Sequence, residues 1–401
     1  MIDQNQQTHK EDLESYWMKI SMIKKRLEPL VHSKQDLKEY IYEVLEKGKY
    51  LFVNKDISFS YAFFELYEKA KKQLFQYFNK MNYKQTYIYD DKQIISLINE
   101  EDKYCFFRHN NEFLNSDTFS FEGVASFETE YLAKGEIFSI MDTIEKYANE
   151  VLNISLVTGK DLHKEEYRCY SMISDGEMIK VGEISYDFNS LHTVQFKINF
   201  NLIMSTLLIN SDDRGLVLPA KLSTIDIVVF AKNKAKQGSI ELCEKIQEIL
   251  SSYNVFVDQD DNTSGYKSAL YDLKGIPFKI ISSISDGEEK IIVCNRLSLQ
   301  KEEVKIEDLK RYIDINLIKF NKLMLKNNRK QLDSNIELIR DGMLKSNKVN
   351  IIPWCGENCF NEDSSFEYLI PFHQLLSSVP CHFCGKLNKK FIYIFKKSQL
   401  F

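Results

Sequence analysis

The stretch Asp212-Asp213-Arg214-Gly215-Leu216-Val217-Leu218-Pro219 separates two kinds of sequence. Before it, from Glu166 to Asn210, apolar and polar residues alternate, with turns at Ser174-Asp175-Gly176 and Asn189-Ser190, and this pattern predicts antiparallel sheet. After it the style changes. Ile225 to Ala231 reads as a continuous apolar strand, Ile240 to Ser251 as a helix, Val255 to Val257 as a strand and Tyr266 to Leu273 as a helix; Phe278 to Ile281 and Ile291 to Val293 read as further strands. Strands alternating with helices imply a compact α/β unit of about 90 residues with a mixed sheet.

Working outward, Leu13 to Leu45 has apolar residues at helical spacing, with Pro29 as a break. Tyr50 to Val53 is a short apolar run after Gly48. Ala62, Leu66, Ala70, Leu74 and Phe78 then recur every four residues, the pattern of a long amphipathic helix. Another helix is expected from Gly135 to Leu152. Downstream, the apolar positions from Leu309 through Ile336 and Ile339 to Met343 mark a long helix leading into a cysteine-bearing tail.

With 401 residues the chain suits two or three domains. Its 44% hydrophobic and 28% charged residues are those of a soluble globular protein, and no run approaches the roughly 18 apolar residues of a membrane helix. Met1 to Lys10 is polar and unlike a secretory signal, so a cytoplasmic location with no membrane partner is expected. The net charge of -5 makes no general case for nucleic-acid binding, but it is uneven. From Lys301 to the end there are 17 Lys and Arg against 12 Asp and Glu, leaving about -10 on residues 1–300. A polyanion would approach the C-terminal third, unless these charges are only the solvated face of a helix.

Four of the eight cysteines lie in the tail. Cys355 and Cys359 are three residues apart, Cys381 and Cys384 two, and 21 residues separate the pairs, so two tight turns can present four thiolates to one tetrahedral ion. Zn²⁺ is the expected ion, against the alternative of four incidental thiols. With all positions filled by protein, the role is structural.

The Asp212–Pro219 stretch resembles the junction between catalytic and anticodon-binding domains in prolyl-tRNA synthetases of archaeal and eukaryotic type. Val257-Asp258, Asp260-Asp261, Gly265-Tyr266-Lys267, Leu273-Lys274-Gly275-Ile276-Pro277, Trp354-Cys355-Gly356 and Cys384-Gly385-Lys386 are similar to that family's order and spacing. The resemblance implies an α+β catalytic-like domain with the antiparallel sheet of class II aminoacyl-tRNA synthetases, then an α/β anticodon-binding-like domain and a small zinc-binding C-terminal domain. The corresponding boundaries are 1–45 for a helical segment, 46–214 for the catalytic-like domain, 215–303 for the anticodon-binding-like domain, and 304–401 for the long helix and zinc-binding tail. It also implies a homodimer, since Gly48 to Phe78 resembles the first class II motif, although Asn54 stands where that motif has proline.

The same comparison of residues exposes losses. Phe106-Phe107-Arg108-His109-Asn110 resembles the start of the second motif; Arg108 matches the arginine that holds the ATP α-phosphate, and Asn110 replaces an acid. Arg108 is equally readable as a plain surface arginine. The spacer between the first two motifs is short, and the segment with the family's proline-recognising residues is missing. Gly176 to Tyr186 resembles a substrate-facing run, but Lys180, Glu183, Ile184 and Ser185 take its polar positions. Asn201 falls where the third motif has its γ-phosphate arginine, and Asn210 replaces a histidine. In the anticodon-binding-like part Gln259 and Cys294-Asn295-Arg296 stand where base-reading arginines would be, leaving Lys267, Lys274 and Arg296 as RNA-binding candidates or ordinary surface charges.

Adenylation puts negative charge on phosphorus, and its catalysis rests on positioned cations and metal. Each lost group costs about 10²- to 10³-fold in rate, so ordinary proline activation is not expected. Two functions lead, with a structural subunit that binds neither nucleotide nor RNA as a third. One is a dimeric pseudoenzyme that binds tRNA or a partner enzyme and acts in regulation; the other is an ATP- and Mg²⁺-dependent ligase for a different amino or carboxylic acid, with Lys180 and Glu183 in its pocket.

Overall fold

The computed structural model describes residues 27–53, 57–86, 102–109, 119–187, 192–233, 238–285, 287–339, 343–372, 379–387 and 390–398. Residues 1–26 of the expected N-terminal helical segment lie outside the described residues; 27–36 are not helical, and α1 (Leu37–Lys47) is the helix that follows. Next come β1 (Leu51–Val53), β2 (Ile57–Phe59) and α2 (Tyr61–Asn79). The Ser60 hydroxyl accepts the Phe63 amide at 3.3 Å and so caps α2. Phe63, Leu66, Ala70, Leu74 and Phe78 form its buried stripe. Burying a side chain of this size contributes roughly 1.5–3 kcal/mol, which explains why the four-residue apolar repeat fixes both the helix and its orientation.

That stripe packs on one face of a large sheet. Its strands are β3 (Lys84–Gln85), β4 (Lys103–His109), β5 (Phe119–Phe127), β6 (Leu156–Asp161), β7 (Glu166–Ser174), β8 (Glu177–Asp187), β9 (His192–Asn199), β15 (Ile336–Leu338), β16 (Val349–Trp354), β17 (Phe366–Pro371) and β18 (Lys390–Lys397). The order is β15-β16-β18-β17-β6-β7-β8-β9-β5-β4-β3, mostly antiparallel. Helix α3 (Glu130–Tyr147) covers the same face as α2 and ends in a π turn at Ala148–Leu152. The C-terminal strands are continuous with this sheet, because β17 pairs antiparallel with β6 from Leu369↔Asp161 to Pro371↔Gly159.

One segment departs from the expected alternation. Asn201–Ile209 is a helix, α4, and eight of its nine residues are buried. A short segment apolar on all sides carries no period that separates helix from strand, and here burial on every side decides.

Beyond Pro219 the α/β unit is as the sequence predicts: β10 (Ile227–Ala231), α5 (Ser239–Ile249), β11 (Val255–Val257), α6 (Ser264–Leu273), β12 (Phe278–Ser285), β13 (Glu288–Asn295) and β14 (Lys301–Glu303). Its sheet order is β11-β10-β12-β13-β14, parallel between β10 and both neighbours, antiparallel thereafter. The long helix α7 spans Leu309–Asn335 and stops short of the expected Met343. Ile336 to Leu338 instead pair with Val349 to Ile351 as β15, and Met343 is exposed.

The two stretches on either side of α6 dock on each other. Leu216 N donates to Leu273 O at 3.1 Å and Leu218 N to Gly275 O at 3.0 Å. Gly215 (φ +123°) and Gly275 (φ +75°) allow this approach, since a Cβ at Gly215 would lie 2.5 Å from Leu273 Cα and one at Gly275 2.7 Å from the Leu216 carbonyl carbon.

Candidate functional site

The face of the large sheet opposite α2 and α3 is polar. Directly opposed residues in an antiparallel sheet share a face, so the register Phe106↔Glu122, Glu122↔Lys197, Lys197↔Glu183 and Glu183↔Arg168 makes one row of alternating charge across five strands. Arg108, Ser120 and Asn199 make the adjacent row. A pocket of about 160 Å³ opens here, lined by Phe106, Glu122, Glu183, Ser185, Gln195 and Lys197 among others.

The sequence candidates on this face are brought close, but their charges are met by the chain itself. Arg108 places Nε 3.4 Å from the Glu122 carboxylate, which also accepts the Ser120 hydroxyl at 2.7 Å. Lys180 Nζ donates to Glu183 at 2.7 Å. Arg168 binds Asp161 at 2.8 Å, Glu166 at 2.5 Å and Glu367 at 2.9 Å, tying β6, β7 and β17. Buried Asn201 donates to Lys180 O at 3.0 Å. Asn210 donates to Thr206 O and accepts from Asn328 on α7, both within the fold.

The RNA-binding candidates need correction. Lys267 is 3% exposed, with Nζ 2.9 Å from the Asp258 carboxylate and 2.8 Å from its carbonyl. Arg296 is fully buried and grips Asp212 through Nη1 at 2.8 Å and Nη2 at 2.6 Å, with Nε on Asp272 O at 2.9 Å. Neither side chain is available to RNA. Buried charge must be paired, and carboxylates distant in sequence supply the partners. Lys274 is half-buried, and burial holds its ammonium below the ordinary lysine range.

A different crevice sits at the carboxyl ends of β10 and β12 beside the start of α6. It has a volume of about 400 Å³ and is lined by Lys232, Asn233, Ser264, Ser283, Ile284 and Ser285. Chain order β10, β11, β12 against sheet order β11-β10-β12 makes this the point where the winding reverses, the usual ligand position in open α/β sheets. The signal in the sequence was Lys232 and Ser282-Ser283 at the ends of apolar strands, which attention to charge alone passes over.

The four tail cysteines converge. Their sulfurs lie within 4.8 Å of one another, with Cys355 to Cys359 at 3.6 Å, Cys359 to Cys381 at 3.7 Å and Cys384 to Cys355 at 3.7 Å. These are far longer than the roughly 2.05 Å of a disulfide. They fit the S–S edge of about 3.8 Å implied by a tetrahedron of 2.3 Å metal–thiolate bonds. Gly356 (φ +87°) and Gly385 (φ +71°) form the turns. Burial disfavours the Cys381 thiolate, but the amides of Cys384, Phe383 and Cys355 hold that thiol at about 7. Ile352, Trp354, Tyr368, Ile392 and Ile394 pack beneath the cluster. The group could hold one metal ion.

Comparison with known proteins agrees with this anatomy. Residues 226–315 match the family model described as anticodon binding domain. Proline–tRNA ligase of Mycoplasma mycoides is 28% identical over 293 residues, covering 63% of this chain and 61% of that protein. The Clostridium botulinum ligase and proline–tRNA ligase 2 of Bacillus cereus are each 24% identical over 313 residues, with 68% and 65% covered. The matches thus span less than two thirds of these relatives' length. Among solved structures, Cryptosporidium parvum prolyl-tRNA synthetase, complexed with halofuginone and AMPPNP, superposes with a TM-score of 0.81 at 15% identity, over 92% of this chain and 99% of that one. The large antiparallel-rich sheet joined to an α/β unit that matches the anticodon-binding model is the fold of that synthetase structure. In sequence the chain is similar to proline–tRNA ligases, and in fold it is prolyl-tRNA-synthetase-like.

Proposed function

We propose that the protein has lost ordinary proline activation and serves as a dimeric tRNA- or partner-binding regulatory protein. The observation that carries this reading is the self-neutralised sheet face: Arg108, Lys180 and Arg168 each pair with a carboxylate of the same chain, and Asn201 is spent on a backbone carbonyl. A triphosphate arriving there would have to break those pairs before any cation could stabilise its charge. The matched anticodon-binding module and its polar crevice support retention of RNA binding. The structural metal in this reading is Zn²⁺ on Cys355, Cys359, Cys381 and Cys384.

A second reading rests on the pocket lined by Glu183, Ser185, Gln195 and Lys197, which is polar and differs from a proline-sized apolar site. It would make the protein an ATP- and Mg²⁺-dependent ligase for another acid. Pyrophosphate exchange into ATP, run against the twenty amino acids, separates the two. No exchange is expected with any of them. Exchange with an acid other than proline would favour the second reading.

The dimer contact in this reading would use residues other than the apolar stripe of α2. The apolar stripe of α2 is buried within its own subunit, which leaves Phe52, Tyr61 and Phe64 exposed around the start of that helix. Light scattering at micromolar concentration should give twice the 47.2 kDa chain mass. A particle of single-chain mass would rule the dimer out.

A further inference from the structure

Helix α7 carries seven basic residues against two acidic ones over Leu309–Asn335. Its apolar face, Leu309, Ile313, Phe320, Met324 and Leu332, is buried in this chain. Arg311, Lys319, Lys322, Lys326, Arg329 and Lys330 are exposed and recur at helical spacing, so they line the outward side. From Arg311 to Lys330 the stripe is about 28 Å long at 1.5 Å per residue. On the helix Glu130–Tyr147, by contrast, Lys134 and Lys146 each meet an acid one turn away, Glu130 and Asp142. On α7, among the described residues, Lys319, Lys322, Lys326 and Lys330 have no carboxylate partner, and Asp314 is engaged by the Tyr253 hydroxyl.

We propose that this stripe is a docking surface for the phosphate backbone of double-stranded RNA, separate from the crevice of the α/β module. This rests on the reading that the chain binds RNA. A solvated helix mixes both signs of charge; a rigid row of unpaired cations instead gains from releasing the counterions of a polyanion. A bilayer surface fits less well, because a helix lying in a membrane needs its continuous apolar face free, and that face is already covered. The exposed Ile315, Ile318 and Leu323 are interspersed among the cations and form no such face.

The test uses the full chain and a variant combining K319Q, K322Q, K326Q and K330Q, all at exposed positions, with circular dichroism to verify folding. Fluorescence anisotropy would follow binding to a blunt RNA duplex of about one and a half turns, to a single-stranded RNA of anticodon-loop size, and to tRNA. The variant should lose at least about 30-fold in affinity for the duplex, and its log–log salt slope should shrink by about 3 to 4. Binding to the single strand should be unchanged. Equal duplex affinity and slope in wild type and variant would overturn the proposal while leaving RNA binding intact. If the wild-type chain bound neither tRNA nor either probe, the broader reading would fall with it. Charge-dependent binding to phosphatidylserine vesicles without duplex binding would assign the stripe to a membrane and also overturn it.

Discussion

Replacing Cys384 with Ser should reduce bound zinc from about one atom per chain to near zero and loosen the tail from about Ile351 onward. Four thiolates converge only when a cation offsets their repulsion, so metal binding is coupled to the folding of this segment. Serine supplies a hard, poorly ionised hydroxyl in place of a soft thiolate. Cys384 is the informative position because it is exposed, so its replacement opens no cavity and any loss of order is attributable to the metal. Cys355→Ser should release the metal equally, with an added packing cost because Cys355 is buried against Trp354 and Ile352. Hydrogen exchange should then rise in β16 and β18, while β10 to β13 stay protected, since they have a core of their own. Protein purified without chelator and found free of zinc, or a structure with disulfides among these cysteines, would refute the assignment.

Asp212→Ala should destabilise the chain by about 2 kcal/mol, read as a shift in the urea midpoint, because it removes the paired carboxylate, itself 41% exposed, from a fully buried guanidinium. Arg296 would keep the carbonyls of Asp272 and Gly215, and Asp272 carboxylate only at 3.9 Å. Burial raises the Asp212 pKa, but the hydrogen bonds and charge of Arg296 outweigh it and hold the carboxyl below its usual range. A carboxylate depressed on folding contributes stability in full above its unfolded pKa and loses it as pH falls through the folded value. The wild type should therefore keep this contribution through mild acid and lose it only as pH falls below the ordinary aspartate value of 3.8, where the difference between wild type and variant should shrink. An unchanged urea midpoint at neutral pH would show that Arg296 finds other partners. The pair matters for architecture, because Tyr40 donates to Asp212 O at 2.7 Å and Tyr50 to Lys274 O at 3.1 Å, so the catalytic-like and α/β parts meet at the same junction.

Much of this was readable from the chain. The junction was legible because Gly215 and Pro219 punctuate it and the sequence period changes across it. The cysteines were legible because two short spacings leave little freedom in how the thiols can meet. Reading failed where the determinant is remote. Asn201–Ile209 has no period to read, and its helix is set by burial on all sides. Ile336 and Ile339 continue the spacing of α7, but pairing with β16, over ten residues away, converts Ile336–Leu338 to strand. Lys267 and Arg296 read as RNA contacts in the sequence because charge is visible there and exposure is not. Asp258 and Asp212 are what draw them inward.

In the proposed function a synthetase-like scaffold is kept while its charged face is turned on itself. Proline-dependent exchange of radiolabelled pyrophosphate into ATP, with a working prolyl-tRNA synthetase run alongside, tests this most directly. Exchange is expected to be no higher than in the absence of proline, with Mg²⁺ present and at saturating ATP. Exchange at synthetase-like rates would contradict it, since the pairs of Arg108 with Glu122 and of Lys180 with Glu183 would then have to open readily for the nucleotide.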